Sequence, residues 1–514
     1  MAFPAFGGNS RLVTKTPEAI NLTPPAADSA QHRLIVVAML LIIAVAGRAQ
    51  TFGNPVLGYD EQFYLLVGDR MLHGAIPFVD IFDRKPIGLF LIYAFIRLLG
   101  GEGTLQYQLV AGLFAWVTAI TIWRFGRRVA NEPGAIAAAA AYLIWLDFME
   151  GEGGQTPVFF NLPVLIAAAI VEQLIRRKAV TARSGALPML VIGVAMQIKY
   201  TVLFEGIFFG SALILAAWRA RPDAPRLLVV GACWIVAALA PTLAAFLTYA
   251  LSGNANAFLF ANFFSMWGKL PDPMATSIVG LLTIVVILLP LFGCAAFPPS
   301  TSDMSQALAR RFVWHWVFAS ILGMLIMRSF STPQYGIPVL VPALIAAAPR
   351  LAQAGRGRQW FWGGLVAAFI ISQIVLTSLQ SLKGRDREAA KIALAAKPKS
   401  GCLFVYDGYP ALYRLTNSCL LSHYVFPGHL NMANEASVRA LGVDPSREVR
   451  RIMAMRPETV TMDYPPFERV NQQTYNIMEH ELMSHYALVF SMRTGDRQRL
   501  VYRRREKMRV LANI

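Results

Sequence analysis

From residue 33 to residue 380 the sequence alternates between apolar blocks and short polar segments. Many blocks approach the ~17–25 residues that a helix needs to cross a bilayer. Lipid offers the backbone no hydrogen-bond partners, so such blocks fold as helices that satisfy their own peptide groups. The pattern predicts about eleven membrane-spanning helices, at residues 34–46, 105–123, 134–146, 158–175, 186–198, 202–217, 227–249, 277–297, 312–327, 336–348 and 360–379.

The segment of residues 50–104 follows the first predicted span and has a different pattern. From Asp60 onward, apolar residues repeat at helical spacing, which predicts a helix lying on the membrane surface with Asp60 and Tyr64 on its polar face. Residues 87–99 are apolar but carry Arg97 and are too few to cross comfortably. We therefore predict an outer loop with two interfacial helices.

Composition supports this assignment, because 56% of the 514 residues are hydrophobic and only 15% are charged. The net charge of +17 is spread over short gaps between apolar blocks, as the positive-inside rule predicts, which argues against a nucleic-acid partner. The alternation of basic and non-basic loops places the N-terminus in the cytoplasm and the C-terminus in the periplasm of a bacterial inner membrane. Residues 1–32 are predicted to be a disordered cytoplasmic tail.

Residues 381–514 are predicted to form a periplasmic α/β domain, because short β-rich runs alternate with helical patterns. The β-rich runs are residues 402–406, 418–422, 459–463, 486–491 and 500–502, and the helical patterns include residues 435–441 and 447–455. In an oxidising compartment Cys402 and Cys419 could form a disulfide. Two buried thiols are the equally weighted alternative.

Candidate chemistry is concentrated in the outer loop. Asp60 and Glu61 lie in the sequence Gly-Tyr-Asp-Glu-Gln-Phe-Tyr, and Arg84 and Lys85 precede Pro86. Carboxylates beside a membrane are costly to hold in a medium of low dielectric constant, so they usually serve a function. The structural alternatives are that Asp60 caps a helix and that the two cations reach toward lipid headgroups.

These features resemble the membrane glycosyltransferases of the GT-C fold, in particular glycosyltransferase family 39 and its bacterial relatives. The relatives include the aminoarabinose transferase of lipid A and the protein O-mannosyltransferases. The resemblance covers roughly residues 30–350. It is carried by Asp60-Glu61, by Arg84-Lys85-Pro86-x-Gly88, by Lys199 between two spans, and by Thr332-Pro333-Gln334-Tyr335-x-x-Pro338.

The resemblance implies transfer of a sugar from a polyprenyl-phosphate donor to an acceptor hydroxyl or amine, with Asp60, next to Glu61, as the base. It also implies cations that stabilise the phosphate leaving group, for which Lys85 matches best. Arg84, Lys199 and Arg328 are further candidates for the phosphate, and Tyr64, Gln334 and Tyr335 for the substrate pocket.

Relatives usually carry a second acidic residue in the next outer loop, where this chain offers Asp147, Glu150 and Glu152. The match is imperfect, because Gln155-Thr156-Pro157 stands where an acidic residue is common. The chain also has Pro86-Ile87 in place of a frequent Pro-Pro pair. The seven histidines are scattered, so no metal-ligand set is predicted. A divalent cation remains open as a cofactor.

Two other functions fit a polytopic membrane protein. A flippase for polyprenyl-linked glycolipids would also bind lipid phosphate, but transporters tend to have internal repeats and polar midplane sites, which this sequence lacks. A non-catalytic scaffold for envelope assembly would use the C-terminal domain for docking. The sequence leaves open whether the acceptor is an envelope glycan such as lipopolysaccharide, a lipid or a protein. We expect the C-terminal domain to select it.

Overall fold

A computed structural model describes residues 29–328, 330–351, 356–466 and 469–505. The predicted tail lies outside these residues except for its end, where α1 already begins at Ala30. The first half of the chain forms α1 (Ala30–Arg48), α2 (Tyr59–Met71), α3 (Ile87–Leu98), α4 (Thr104–Gly126), α5 (Glu132–Phe148), α6 (Thr156–Arg176), α7 (Ala182–Met196), α8 (Leu203–Ala220) and α9 (Ala224–Leu251). It continues with α10 (Ala255–Leu259), α11 (Ser265–Gly268), α12 (Met274–Ala296), α13 (Met304–Ile326), α14 (Ile337–Leu351) and α15 (Arg356–Lys383).

Each predicted span coincides with one of these helices. Among the described residues, 7 helical stretches are long and apolar enough to cross a membrane. They include α1, α4, α6, α8, α9, α12 and a stretch that begins within α15. Helices α5, α7 and α14 have 17, 15 and 15 residues, and α13 carries Arg310 and Arg311. The total number of spans therefore stays a prediction.

Helices α2 and α3 form the predicted pair in the outer loop. They touch at Gly68, where an added Cβ would lie 2.6 Å from the Tyr93 backbone carbon. Helix α3 exposes Leu91, Phe95 and Leu98 on one side, as expected at a lipid interface. Residues 61–68 of α2 are all buried, so the side of this helix that carries Tyr64 is covered as well. Residues far along the chain also pack against α2, where Phe426 contacts the rings of Tyr59 and Phe63.

The C-terminal region combines a four-stranded sheet with short helices. Its elements are α16 (Asp386–Ala396), β1 (Leu403–Val405), α17 (Ala411–Leu415), α18 (Pro427–Asn431), α19 (Val438–Leu441), α20 (Pro445–Ala454), β2 (Thr459–Thr461), α21 (Gln472–His485), β3 (Tyr486–Thr494) and β4 (Arg497–Arg504). The strand order is β1-β2-β4-β3; β1 and β2 are parallel, and β4 runs antiparallel to both its neighbours.

One predicted strand, residues 418–422, is absent from this described sheet. Those residues form a turn in which the Ser418 hydroxyl accepts a hydrogen bond from the Leu403 amide at 2.7 Å. A disulfide joins Cys419 to Cys402, with a Cα–Cα separation of 5.2 Å. Leu420 and Leu421, the apolar side chains that suggested a strand, instead line a pocket together with Ala75 and Ile81 of the outer loop.

The C-terminal domain rests directly on the outer loop. The Ala411 amide donates to the Gln62 side chain at 3.2 Å, and the Arg70 guanidinium donates to the Ser418 carbonyl at 2.7 Å. Arg84 forms a two-pronged pair with Glu435, at 2.8 and 2.7 Å. The two side chains are 9% and 5% exposed, so this is a buried ion pair across the interface.

Breaking this pair should loosen the domain. We expect Glu435→Gln to destabilise the docked arrangement by about 3–5 kcal/mol, because the Arg84 charge stays buried without its counter-ion. Limited proteolysis and thermal unfolding of the purified protein measure the effect. Glu388→Gln, which alters another acidic residue of the same domain, is the control. Equal protease resistance of wild type and Glu435→Gln would show that the pair does not hold the domain.

Candidate active site

Asp60 occupies the first turn of α2, whose N-cap residue is Gly58 and not Asp60. Its carboxylate is half-buried and accepts a hydrogen bond from the Tyr64 hydroxyl at 3.2 Å. One helical turn separates the two residues, so they lie on the same face of α2.

Lys85 lies beside the Tyr64 ring. Its ammonium nitrogen is 5.4 Å from the ring centroid, a cation–π distance. Burial alone would lower the pKa of Lys85, but the charges of Asp83 and Asp60 raise it above its usual value. Tyr64 therefore contacts both a carboxylate, through its hydroxyl, and a cation, at its ring.

A second lysine approaches from the bend between α7 and α8. The Lys199 ammonium is 5.1 Å from the centroid of the Tyr335 ring, which belongs to a short 3-10 turn before α14. Burial and the neighbouring charge of Lys85 lower the pKa of Lys199 to about 8. Two cations and two tyrosines from separate parts of the chain thus meet beside Asp60.

Close backbone packing makes this convergence possible. At Gly88, the second residue of α3, an added Cβ would lie 2.6 Å from the Gln197 carbonyl oxygen. Only glycine allows the start of α3 to approach the end of α7 this closely. Gly88 thereby brings the loop that carries Lys85 next to the bend that carries Lys199.

Two predicted phosphate ligands lie elsewhere. The Arg84 guanidinium is used by Glu435, by the Ser265 hydroxyl at 3.1 Å and by the Ala440 carbonyl at 2.7 Å. Arg328 is exposed just beyond the end of α13. Arg84 thus serves the contact between domains, a use that its place next to Lys85 does not reveal.

The three acidic candidates of the next loop have different partners. Asp147 is buried inside α5, where it accepts from the Ser372 hydroxyl at 3.3 Å. Glu150 pairs with Lys383 at 3.0 Å. Glu152 is buried, and its Oε2 has no hydrogen-bond partner among the described residues. Glu152 is the candidate that acts on the site, because its charge contributes to the raised pKa of Glu61, the neighbour of Asp60.

Glu61 is a buried carboxyl enclosed by two glycines. Added Cβ atoms at Gly58 and Gly153 would lie 2.4 and 3.0 Å from its oxygens, and the Gln155 amide donates to it at 3.1 Å. Burial, followed by the charges of Asp60 and Glu152, raises the pKa of Glu61 to about 8. Glu61 is therefore protonated at neutral pH. A protonated carboxyl cannot take up a further proton, so Asp60 is the better candidate for the base.

This pKa shift predicts a pH-dependent stability. The folded protein holds the Glu61 proton up to about pH 8, whereas the unfolded chain releases it near its ordinary pKa, so stability falls as pH rises between these values. We expect Glu61→Gln, which cannot ionise, to reduce that fall by on the order of a few kcal/mol. Unfolding temperatures of both proteins from pH 5 to pH 9 test this. Parallel curves would contradict the assignment.

Sequence analysis missed the contribution of the C-terminal domain. His429 is buried against Phe82, Phe426 and two further rings, and its Nδ1 has no hydrogen-bond partner among the described residues. Burial and then the charges of Arg84 and Lys85 lower the pKa of His429, so its ring is neutral. Asp83 is also buried, and one of its oxygens accepts from the Arg84 amide at 2.6 Å. No local pattern marks His429, because Phe63 and Phe82, which complete its ring environment, lie hundreds of residues earlier.

The described residues contain no group of three or more His, Cys, Asp or Glu side chains that could hold a metal ion. Gln334 precedes Tyr335, and its Oε1 is buried without a hydrogen-bond partner in the described part of the chain. The predicted residues that the fold brings together are thus Asp60, Glu61, Tyr64, Lys85, Lys199 and Tyr335.

No family model and no curated protein sequence matches this chain. Solved structures do. ArnT from Cupriavidus metallidurans bound to undecaprenyl phosphate is 15% identical, with a TM-score of 0.56 over 93% of this chain and 98% of that one. The same protein in the apo state gives 14% identity and a TM-score of 0.55, with coverages of 92% and 98%.

The oligosaccharyltransferase of Archaeoglobus fulgidus, tethered to an acceptor peptide, is 10% identical. Its TM-score is 0.51, over 93% of this chain and 74% of that one. At these identities the likeness concerns the fold, and it extends over the outer loop and the C-terminal region as well as the helical bundle. The protein has the GT-C fold that the sequence motifs predict.

Proposed function

We propose that this protein transfers a sugar from a polyprenyl-phosphate donor to an envelope acceptor at the periplasmic face of a bacterial inner membrane. The observation that carries the proposal is that Tyr64 contacts both groups: its hydroxyl donates to the Asp60 carboxylate, and its ring lies beside the Lys85 ammonium. A base and a cation so arranged match the two charge changes of glycosyl transfer. The undecaprenyl phosphate held by the ArnT structure supports a lipid-phosphate donor.

The reaction follows from these charges. Asp60 accepts the proton of the acceptor hydroxyl or amine as that atom attacks the anomeric carbon. The bond between the anomeric carbon and the phosphate oxygen breaks, and the polyprenyl phosphate departs with the electron pair. Lys85, together with Lys199, stabilises the negative charge that develops on the leaving oxygen. A phosphate between the two lysines also reverses the mutual repulsion that lowers the pKa of Lys199.

Tyr64 and Tyr335 hold the lysines in place through their ring faces, at 5.4 and 5.1 Å. Arg84 is not assigned to the phosphate, because its guanidinium is committed to Glu435 and Ala440. Arg328 is not assigned either, because it is exposed beyond α13. We assign the role of the second acidic residue to Glu152, because its charge contributes to the raised pKa of Glu61.

The test uses the purified full chain in lipid vesicles with polyprenyl-phosphate donors labelled on the sugar, plus an envelope extract. Expected results are label in an acceptor and release of free polyprenyl phosphate in equal amounts. A flippase would instead move intact donor across vesicle membranes without breaking its bond. Donor movement without cleavage, or neither event with every donor, would overturn the proposal.

A further inference from the structure

Residues 258–270, which we call the anchor segment, connect α9 to α12 and contain the end of α10 and the whole of α11. Both α9 and α12 are long and apolar enough to cross a membrane, so the two ends of the segment lie near the edge of the hydrocarbon core. The buried residues of the segment are Phe258, Ala261, Asn262, Ser265 and Gly268. The exposed large residues include Phe264, Met266, Trp267 and Leu270. Apolar side chains thus point outward and small or polar ones inward, the reverse of a helix on a water-soluble domain.

The inner face of the anchor segment binds the chain neighbours of the two lysines of the candidate site. The Arg84 guanidinium donates to the Ser265 hydroxyl at 3.1 Å, and the Tyr200 hydroxyl donates to the Asn262 side chain at 3.1 Å. Asn262 and Ser265 are both buried. Because Arg84 precedes one lysine and Tyr200 follows the other, the segment is connected to both cations.

The C-terminal domain covers a second side of the anchor segment. The Leu270 amide donates to the Asn434 carbonyl at 2.9 Å. Lys269, the one charged residue of the segment, pairs with Glu435 at 3.5 Å. The charge of the segment is therefore directed to the domain and not to the exposed face.

The exposed side has the composition of a lipid-facing surface. Trp267 is 82% exposed, and its ring contacts the ring of Phe264, with 5.9 Å between the centroids. Leu251 at the end of α9 and Met274 at the start of α12 are exposed as well. Tryptophan is enriched at membrane boundaries, and a large apolar patch is costly to leave in water. Since the bundle and the C-terminal domain occupy two sides of the segment, the remaining side fits the bilayer.

We propose that the exposed face of the anchor segment inserts into the outer leaflet and thereby holds Lys85 and Lys199 at the depth of the lipid phosphates. The second part rests on the proposed function. A polyprenyl-phosphate donor keeps its tail in the hydrocarbon core and its phosphate at the headgroup boundary. The two lysines must stay at that depth to meet the phosphate, and the hydrogen bonds of Ser265 and Asn262 connect them to the inserted face.

Tryptophan fluorescence of the full chain in phosphatidylcholine vesicles tests the insertion. The chain has 10 tryptophans, so the emission of Trp267 is taken as the difference between wild type and Trp267→Phe. We expect brominated acyl chains, which quench at contact, to quench this emission more strongly than aqueous iodide does. Stronger quenching by iodide would place Trp267 in water, and protection from both quenchers would assign the face to a protein contact. Either result would overturn the proposal.

Trp267→Asp tests the link to the site. A carboxylate at this position favours water over lipid, so the segment should leave the bilayer and loosen the hydrogen bonds from Arg84 and Tyr200. We expect the donor KM to rise about tenfold, the effect of losing one or two such bonds. The acceptor KM should not change. Trp267→Ser, which removes the ring without adding a charge, gives the same test should Trp267→Asp not fold.

Two variants serve as controls for the donor KM. Trp267→Phe keeps an apolar ring, and Leu394→Asp places the same charge on an exposed apolar position of α16 in the C-terminal domain. Both should retain the wild-type donor KM. A wild-type donor KM in Trp267→Asp as well would show that the segment does not hold the lysines in position.

The outcomes separate the two proposals. If brominated lipids quench Trp267 but no donor is cleaved, the membrane anchor stands and the proposed function falls. If donor is cleaved while iodide is the stronger quencher of Trp267, the anchor falls and the proposed function stands.

Discussion

Replacing Asp60 by asparagine is expected to slow sugar transfer by about 10²–10⁴-fold, the usual contribution of a general base. Asparagine keeps the shape of the side chain and can still accept the hydrogen bond that Tyr64 donates at 3.2 Å. It cannot take the proton of the acceptor. The measurement is the single-turnover rate with labelled polyprenyl-phosphate donor, at saturating donor and acceptor.

The matched control is Asp80→Asn in the same outer loop. Asp80 is exposed, and its carboxylate accepts from the Ile76 amide at 2.7 Å, a role that an asparagine oxygen also fills. We expect its transfer rate to stay within about twofold of wild type, because the surface exchange removes no buried contact. A folded Asp60→Asn protein with the wild-type rate would show that another group removes the proton.

Replacing Lys85 by methionine is expected to lower the transfer rate by about 10²–10³-fold, the size of effect seen when one group that stabilises developing negative charge is removed. Methionine fills similar space and packs against the Tyr64 ring, so the loss is mainly one of charge. The exposed Lys391→Met on α16 is the control. Equal rates for the two variants would exclude Lys85 as the cation that meets the leaving group.

The same variant has a second readout that packing alone would not change. Lys85 contributes to the lowered pKa of Lys199, second to burial. Removing that positive charge favours protonated Lys199, so its pKa rises and the alkaline fall of kcat/KM should move to higher pH. An unchanged pH profile of kcat/KM would show that deprotonation of Lys199 does not cause the alkaline fall.

Hydropathy predicts the helical bundle well, because each span depends on a run of neighbouring residues. Asp60 and Lys85 can also be recognised from the sequence as a pair, because the same outer loop carries both. The burial of α2 is not visible locally, because it depends on residues of the C-terminal domain such as Ala411, whose amide donates to the Gln62 side chain. A polar face beside a membrane looks solvated from its sequence, whether water or another domain covers it.

The errors have the same origin. Arg84 is next to Lys85 in the chain, but its guanidinium binds Glu435, 351 residues away, instead of joining Lys85 at the site. The predicted strand at residues 418–422 has the right composition, yet the disulfide to Cys402 and the bond from Leu403 to Ser418 set its geometry. His429 has no local signal, because its environment is assembled by Phe63 and Phe82. Such contacts require the tertiary fold.

The separation of 351 residues between Arg84 and Glu435 also bears on how the protein is made. A ribosome delivers the outer loop to the translocon early and the segment around Glu435 near the end of synthesis. The candidate base therefore remains uncovered while most of the bundle inserts. Because His429 and Glu435 are synthesised late, a nascent chain that ends before them lacks both the ring contact to Phe82 and the ion pair to Arg84.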